Sequence, residues 1–432
     1  MESLKIRVIT LGCKVNQCES ASIVAALAER GYDASEGYDP ADVYVLNTCS
    51  VTAEADRKSR QHISKLTALN PDCRIIIVGC SSQNQPKQYE KNNVTAIGGT
   101  ANKTEFVLNA VDELQYYKQC SILNNRILFD KNIENVGKND VFCCEMYPKS
   151  DKTRAFIKIQ DGCNRFCSYC IIPYLRGRSR SRTIDDIVCE CEQTGSREIV
   201  LTGIDISEYG KDIGTDLNAL LRALGKIDAR KRLGSIECEI VNDEMLEIMG
   251  ECGYCPHFHL SLQSGSDEVL RSMNRRYTCD YFASKVDLIR KYFPLAGITT
   301  DVIAGFPAET DELFENSVRF IEHCEFSDIH VFPYSSRAGT LAAKKYAPLP
   351  KDVVKQRTQR LLDVKMRSKM AFLQKNLGET AEVYAETRYQ NNGLTIGYTP
   401  NYIAVYSDTP CGNIKILELC DLFCDGILGK LV

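Results

Sequence analysis

Three cysteines inside one short loop, Asp161-Gly-Cys-Asn-Arg-Phe-Cys-Ser-Tyr-Cys170, constrain this chain more than any other stretch. Cys163, Cys167 and Cys170 follow C-x3-C-x2-C spacing, which can fold three thiolates around one face of an iron–sulfur cube. Such clusters are usually held by four cysteines, and no fourth lies at a familiar offset nearby. Three ligands leave one iron open, as a catalytic metal site keeps a position for substrate. A zinc loop on the same cysteines wants a further Cys or His close by.

Upstream, strand-like and helix-like segments alternate. Lys5–Leu11 reads as a buried strand that stops at Gly12-Cys13, and a helix over Ser20–Arg30 ends at Gly31. The strand Val43–Leu46 runs into Asn47-Thr-Cys49. A helix over about Glu54–Leu69 closes at Asn70-Pro71, and the strand Arg74–Val78 runs into Gly79-Cys80. This alternation predicts a parallel sheet with right-handed crossovers. Cys13, Cys49 and Cys80 each stand just past the carboxyl end of a strand, where open parallel sheets bind ligands. A second three-cysteine cluster site is therefore expected, although cysteine is also a common small buried residue. Cys18 and Cys73 lack this placement and are read as packing. From about Gln115 to Lys152 the periodicity fades. A connecting segment is expected there, with a strand over Arg126–Phe129 and with Cys143-Cys144 left out of the ligand sets.

Strand candidates then recur at Ala155–Gln160, Glu198–Thr202, Gly234–Ile240, His257–Leu262, Ile298–Ile303 and Asp328–Pro333, with helices between. About six βα units over roughly 200 residues predict a full or partial barrel, with its chemistry at the carboxyl ends of the strands. Those ends carry the cysteine loop, Thr202-Gly203-Ile-Asp205, Ser261-Leu-Gln263-Ser-Gly265, Gly305-Phe-Pro307 and Tyr334–Arg337. Arg176, Arg178, Arg180 and Arg182 crowd behind the cysteine loop, and contact with an anion is expected, either a cofactor carboxylate or RNA phosphate. Beyond Pro348-Leu-Pro350 comes a basic amphipathic helix over Lys351–Lys375. Short strands follow at Thr380–Tyr384, Leu394–Ile396, Tyr402–Tyr406 and Ile414–Leu417. A small barrel of about five strands is expected, a shape often used to hold oligonucleotides. Tyr384, Tyr389, Tyr398, Tyr402 and Tyr406 could stack bases or fill the barrel.

Composition sets the outer bounds. A chain of 432 residues predicts two or three domains. The net charge of −4 leaves any nucleic-acid binding to local basic patches. Twenty-one cysteines without a signal-like start point to a reducing, cytoplasmic setting with metal-bound thiolates. No apolar run reaches the roughly 18–20 residues of a membrane span.

The motif Gly162-Cys-Asn-Arg-Phe-Cys-Ser-Tyr-Cys-Ile-Ile-Pro-Tyr-Leu-Arg-Gly-Arg-Ser-Arg180 resembles the methylthiotransferase family of radical S-adenosylmethionine (SAM) enzymes. Leu11-Gly-Cys-Lys-Val-Asn16 and Asn47-Thr-Cys49 match that family's N-terminal domain, and the last domain resembles its TRAM module. The resemblance implies an α/β chain: an auxiliary-cluster domain over residues 1–115, a connecting segment over 116–150, a radical SAM domain over 151–370 and an RNA-binding domain over 371–432. It implies two 4Fe-4S clusters, one on Cys163, Cys167 and Cys170 whose open iron chelates SAM, the other on Cys13, Cys49 and Cys80. Tyr169 would lie against the SAM adenine, with Thr202, Gly203, Ser261, Gln263, Gly305 and Pro307 as further cofactor contacts. SAM cleavage gives a 5′-deoxyadenosyl radical that removes hydrogen from C2 of an adenine, and a second SAM supplies the methyl group. Lys14-Val15-Asn16 resembles the branch that modifies N6-threonylcarbamoyladenosine at position 37, in the anticodon stem-loop of tRNA. Other branches modify isopentenyladenosine or a ribosomal protein aspartate. An electron donor such as flavodoxin or ferredoxin is implied as partner, with no membrane. Asp301 replaces the first glycine of the G-x-I-x-G-x-P element, which puts close backbone approach to SAM in doubt there. A zinc-bearing RNA-binding protein without catalysis is the competing class.

Overall fold

The computed structural model describes residues 3–91, 93–119, 142, 153–388 and 393–432. The strand expected over Arg126–Phe129, the Cys143-Cys144 pair and Tyr389 lie outside these residues.

The first unit is a parallel sheet in the order β2-β1-β3-β4-β5. Its strands are β1 (Lys5–Thr10), β2 (Asp33–Glu36), β3 (Val43–Thr48), β4 (Arg74–Gly79) and β5 (Val94–Ile97). Its helices are α1 (Lys14–Glu29), α2 (Ala53–Leu69), α3 (Cys80–Asn84) and α4 (Lys103–Gln119). Strand parity sorts the core. Val43, Val45, Ile76 and Val78 meet Ile23 and Leu27 of α1 and Val107 and Val111 of α4. Tyr44, Leu46, Ile75 and Ile77 meet Ile63 and Leu66 of α2 on the other face. Strands covered on both faces need apolar residues at every position, hence their continuous apolar runs. Helix α1 starts six residues before the expected Ser20, with Cys13 as its N-cap. The early turns escaped the periodicity because their buried side chains include the polar Asn16 and Glu19.

The central unit begins with β6 (Arg154–Lys158). A small antiparallel pair, β7 (Gln160–Asp161) with β8 (Arg180–Ser181), closes the base of the cysteine loop. Then come β9 (Glu198–Thr202), β10 (Arg230–Leu233), β11 (Ser235–Ile236), β12 (His257–Gln263), β13 (Gly297–Ala304) and β14 (Asp328–Pro333). They form two parallel sheets, β10-β9-β6 and β11-β12-β13-β14, which meet at Gly234 between β10 and β11. One large core runs under both sheets, from Ile157 on β6 to Ile329 on β14. Of the strand expected over Gly234–Ile240 only Ser235–Ile236 forms, followed by a 3-10 turn at Cys238–Ile240, while the strand Arg230–Leu233 before it was not expected.

The last unit is a closed barrel, β15-β16-β17-β19-β18. Its strands are β15 (Thr380–Arg388), β16 (Thr395–Tyr398), β17 (Ala404–Ser407), β18 (Ile414–Phe423) and β19 (Gly426–Leu431). Tyr402 precedes its strand rather than opening it, at φ +72°. The helix Lys351–Lys375 ties the barrel to the central unit: Leu361 and Val364 enter the central core, and Leu373 enters the barrel core. Among the described residues, no helix is long and apolar enough to cross a membrane.

Candidate active site

All six ligand-candidate cysteines line one cavity of about 900 Å³. No other cysteine lines it among the described residues. Cys13 follows β1 and Cys49 follows β3, the point where strand order reverses and doubly wound sheets bind their ligands. Cys80 opens α3 directly after β4. Convergence needs bare backbone at Gly12, where φ is +100° and an added Cβ would stand 2.6 Å from Cys49 Sγ. The Gly12→Ala variant should lose about 1–3 kcal/mol to backbone strain alone. It should also part Cys13 from Cys49, so denaturation midpoint and bound iron per chain should fall together.

The Cys163 loop is cinched in a similar way. Gly162 has φ +75°, and a Cβ there would stand 1.9 Å from the Arg178 carbonyl oxygen. The Cys163 amide donates to the Gly177 carbonyl at 3.1 Å. Arg275 Nη1 donates to Cys167 Sγ at 3.3 Å, the Arg165 amide to Cys163 Sγ at 3.4 Å, and Arg176 Nε to Cys80 Sγ at 3.4 Å. Burial and the neighbouring sulfurs push Cys170 up to about 12, and burial pushes Cys49 to about 12 as well. Such sulfurs become thiolates against a compensating cation, which a bound metal supplies. Two triads of soft sulfur donors, each with cationic N–H groups aimed at it, fit iron–sulfur clusters with one iron left open. They do not fit structural zinc, which closes four protein ligands.

Two sequence expectations about this region change. The arginine run is mostly an internal fastener. Arg176 is 1% exposed and donates to Glu19 at 2.9 Å, Asp161 at 2.9 Å and Asn16 at 2.8 Å. Arg180 faces Asp161 at 3.4 Å, and Arg182 pairs with Asp186 and Glu190. Arg178 is exposed and lies 4.5 Å from the Phe166 ring centroid. Lys103 and Lys158 also close on Glu19, so α1, α4, β6 and the cysteine loop share one buried ionic hub. Burial works against it, but Arg176, Lys103 and Lys158 hold the Glu19 carboxyl well below the usual range.

The second change concerns cofactor contacts. Tyr169, Thr202, Gly203, Ser261 and Gln263 line the cavity, with Gln263 at φ +71°. Gly305 and Pro307 do not. β13 ends at Ala304, and the chain turns at Gly305 beneath Val354 of the long helix, which a Cβ would meet at 2.8 Å. Phe306 is buried against Tyr334 and Tyr346. Asp301, by contrast, does reach the cavity, where it meets His259 and His330 at 3.2 Å each.

Sequence reasoning missed two further groups. Around the Cys163 loop, Arg165 reaches Asp205 and Glu239 at 2.9 Å each, and Arg275 pairs with Glu237. Burial pushes Glu237 up to about 7 against the pull of Arg275 and Arg165. On the barrel side, Tyr398, Tyr402 and His257 form a stacked column, with centroids 4.9 and 4.7 Å apart. Arg154 lies over both tyrosines, and Arg232 lies over Tyr402. Tyr398 and Tyr402 carried a signal as aromatics of a small barrel, and Asp205 as part of a strand-end run.

A doubly wound cysteine domain, a parallel βα array bearing the C-x3-C-x2-C loop and a small closed barrel together define a radical SAM enzyme with a second cysteine triad. The chain belongs to the radical SAM methylthiotransferase family. Residues 5–98 match the uncharacterized protein family UPF0004, and residues 157–321 match the radical SAM superfamily. The threonylcarbamoyladenosine tRNA methylthiotransferase MtaB of Bacillus subtilis is 36% identical over 411 residues, covering 92% of this chain and 88% of the relative. The MtaB of Aquifex aeolicus is 36% identical over 402 residues, covering 91% of this chain and 95% of the relative. The tRNA-2-methylthio-N(6)-dimethylallyladenosine synthase of Desulfitobacterium hafniense is 32% identical over 415 residues, covering 91% and 90%. In fold, the chain is similar to the radical SAM methyltransferase TsrM of Kitasatospora setae, with a TM-score of 0.56 and 13% identity, over 79% of this chain and 77% of that one.

Proposed function

We propose that this protein transfers a methylthio group to C2 of N6-threonylcarbamoyladenosine at position 37 of tRNA. The observation that carries this reading is the single cavity lined by both cysteine triads, since joining sulfur to an unactivated carbon needs a radical source and a sulfur source at one base. Cys163, Cys167 and Cys170 would hold one 4Fe-4S cluster, and Cys13, Cys49 and Cys80 the other. When bound, these groups supply reductive cleavage of SAM and sulfur for C2.

The chain's own residues bind and orient. Tyr169, Thr202, Gly203, Ser261 and Gln263 offer aromatic, hydroxyl and amide contacts for SAM beside the radical loop. The Glu19–Arg176–Asp161 hub fixes the spacing between the triads, and reacting atoms must meet within a fraction of an ångström for such a transfer. The C-terminal barrel, over residues 371–432 with the end of the long helix, would take the anticodon stem-loop. Its Tyr398 and Tyr402 stand where the barrel meets the cavity. A flavodoxin or ferredoxin would supply electrons. Mass spectrometry of tRNA nucleosides from a deletion strain tests the reading. Loss of the 2-methylthio group from threonylcarbamoyladenosine is the required result. Loss from dimethylallyladenosine instead would give the other tRNA branch, and unchanged tRNA would send the search to protein substrates.

A further inference from the structure

We propose that Lys14 and His257 form a subsite for the carboxylate-bearing N6 substituent of the base, and that this subsite sets substrate choice. The inference rests on the threonylcarbamoyladenosine reading above and deepens it.

Lys14 is the first residue of α1, directly after Cys13, and its side chain is exposed to the cavity. It makes no hydrogen bond or ion pair with any described residue, and its ammonium stands 5.8 Å from the Phe156 ring centroid. The acids behind this wall are ion-paired with arginines. Glu198 is shared by Arg154, Arg230 and Arg232, and Glu386 pairs with Arg154. Arg232 also donates to the carbonyls of Pro400, at 2.6 Å, and Thr399, at 2.8 Å. Lys14 therefore pairs with no carboxylate among the described residues; Glu198 attracts it only at longer range, while burial, Arg154 and Arg232 disfavour its charged form until an anion arrives.

A second, independent orphan stands on the same wall. Both ring nitrogens of His257 are buried without a hydrogen-bond partner among the described residues, while the ring stacks on Tyr402. Burial, Arg232, His259 and Lys14 keep that ring neutral, so one nitrogen donates and the other accepts. Buried polar groups are nearly always paired, so the orphaned His257 ring, with the unpaired Lys14 ammonium on the same cavity, marks what the ligand must bring. It must bring an anion for Lys14 and a neutral donor–acceptor group for His257. A threonylcarbamoyl substituent carries both: a carboxylate, and a urea with a hydroxyl.

Base geometry puts that substituent within reach. Adenine C2 and N6 flank N1 on the same edge of the ring. With C2 facing the two triads and N6 turned towards Cys13, the substituent meets Lys14, the next residue on the cavity lining. An isopentenyl group in the same place would leave Lys14 desolvated against hydrocarbon, an unfavourable match. One charge thus separates the two tRNA substrates named for the relatives.

The test uses the reconstituted enzyme and three anticodon stem-loops, bearing threonylcarbamoyladenosine, its threoninamide analogue with the carboxylate neutralised, and N6-dimethylallyladenosine. Each comparison is a ratio of kcat/KM values on one preparation, so incomplete cluster loading cancels. The wild type should prefer carboxylate to carboxamide by about 30-fold or more, as when one partner of a desolvated charge pair is removed. The preference should fall mainly in KM, because the contact is equal in ground and transition states. Lys14→Met should bring the ratio near one, and Lys14→Arg should keep it. Equal use of carboxylate and carboxamide by the wild type, or an undiminished ratio in Lys14→Met, overturns the inference while leaving the function standing. Turnover of the dimethylallyl stem-loop alone overturns the function itself.

Discussion

Replacing Cys13, Cys49 and Cys80 together by alanine should lower bound iron from about eight to about four per chain after anaerobic reconstitution. The methylthio product should disappear while SAM is still cleaved on reduction to 5′-deoxyadenosine. The complementary triple replacement of Cys163, Cys167 and Cys170 should stop both. This asymmetry follows from the chain's construction. Each triad stands on its own secondary structure, one on the edge of a doubly wound sheet and one on a loop closed by β7 and β8. Loss of one set therefore leaves the other's backbone in place. Iron that stays near eight after removal of the N-terminal triad would show that those three cysteines hold no cluster. Colourless, zinc-loaded wild-type protein would favour the non-catalytic alternative.

How much of this was legible depended on range. The strand-end cysteines could be read because a parallel sheet aligns its carboxyl ends whatever the sequence between them, so Cys13, Cys49 and Cys80 needed no local spacing. The radical loop could be read because its spacing is local. The arginine run could not. Four arginines in seven residues look like a surface patch for an anion, yet Arg176 answers Glu19, 157 residues away. No one-dimensional pattern links the two. The same holds for Lys14 and His257, whose shared wall exists only once α1, β12 and the C-terminal barrel are packed. Gly305 and Pro307 stand outside the cavity lining for a different reason. The motif was there, but the glycine's missing side chain makes room for Val354 of the long helix rather than for a ligand.

The buried hub should be the most sensitive position outside the cysteines. Glu19 is 2% exposed and faces three cations, Arg176, Lys103 and Lys158, with Asp161 as the other acid in the cluster. Removing one partner of a buried pair strands the other charge and typically costs about 3–5 kcal/mol. Glu19→Gln keeps the shape and some hydrogen bonds but drops the charge, so its loss should sit near that range, with Glu19→Leu at least as severe. The damage should also be directional. The hub joins α1 and α4 to β6 and to Arg176 behind the radical loop; it touches sulfur through Arg176 Nε on Cys80, and Glu19 itself bonds no cysteine among the described residues. Glu19→Gln should therefore retain both clusters at reduced temperature, cleave SAM, and yield methylthio product far less efficiently per SAM consumed, because the triads no longer hold their spacing. Acid should mimic the mutation. The Glu19 carboxyl lies well below its ordinary value of 4.5, so its stabilisation is fully present above that value and fades as pH falls towards the folded-state value. Unfolding free energy measured from pH 7 down to pH 3 should drop in the wild type and drop less in Glu19→Gln. Equal slopes for the two proteins would place the acid-sensitive contact elsewhere.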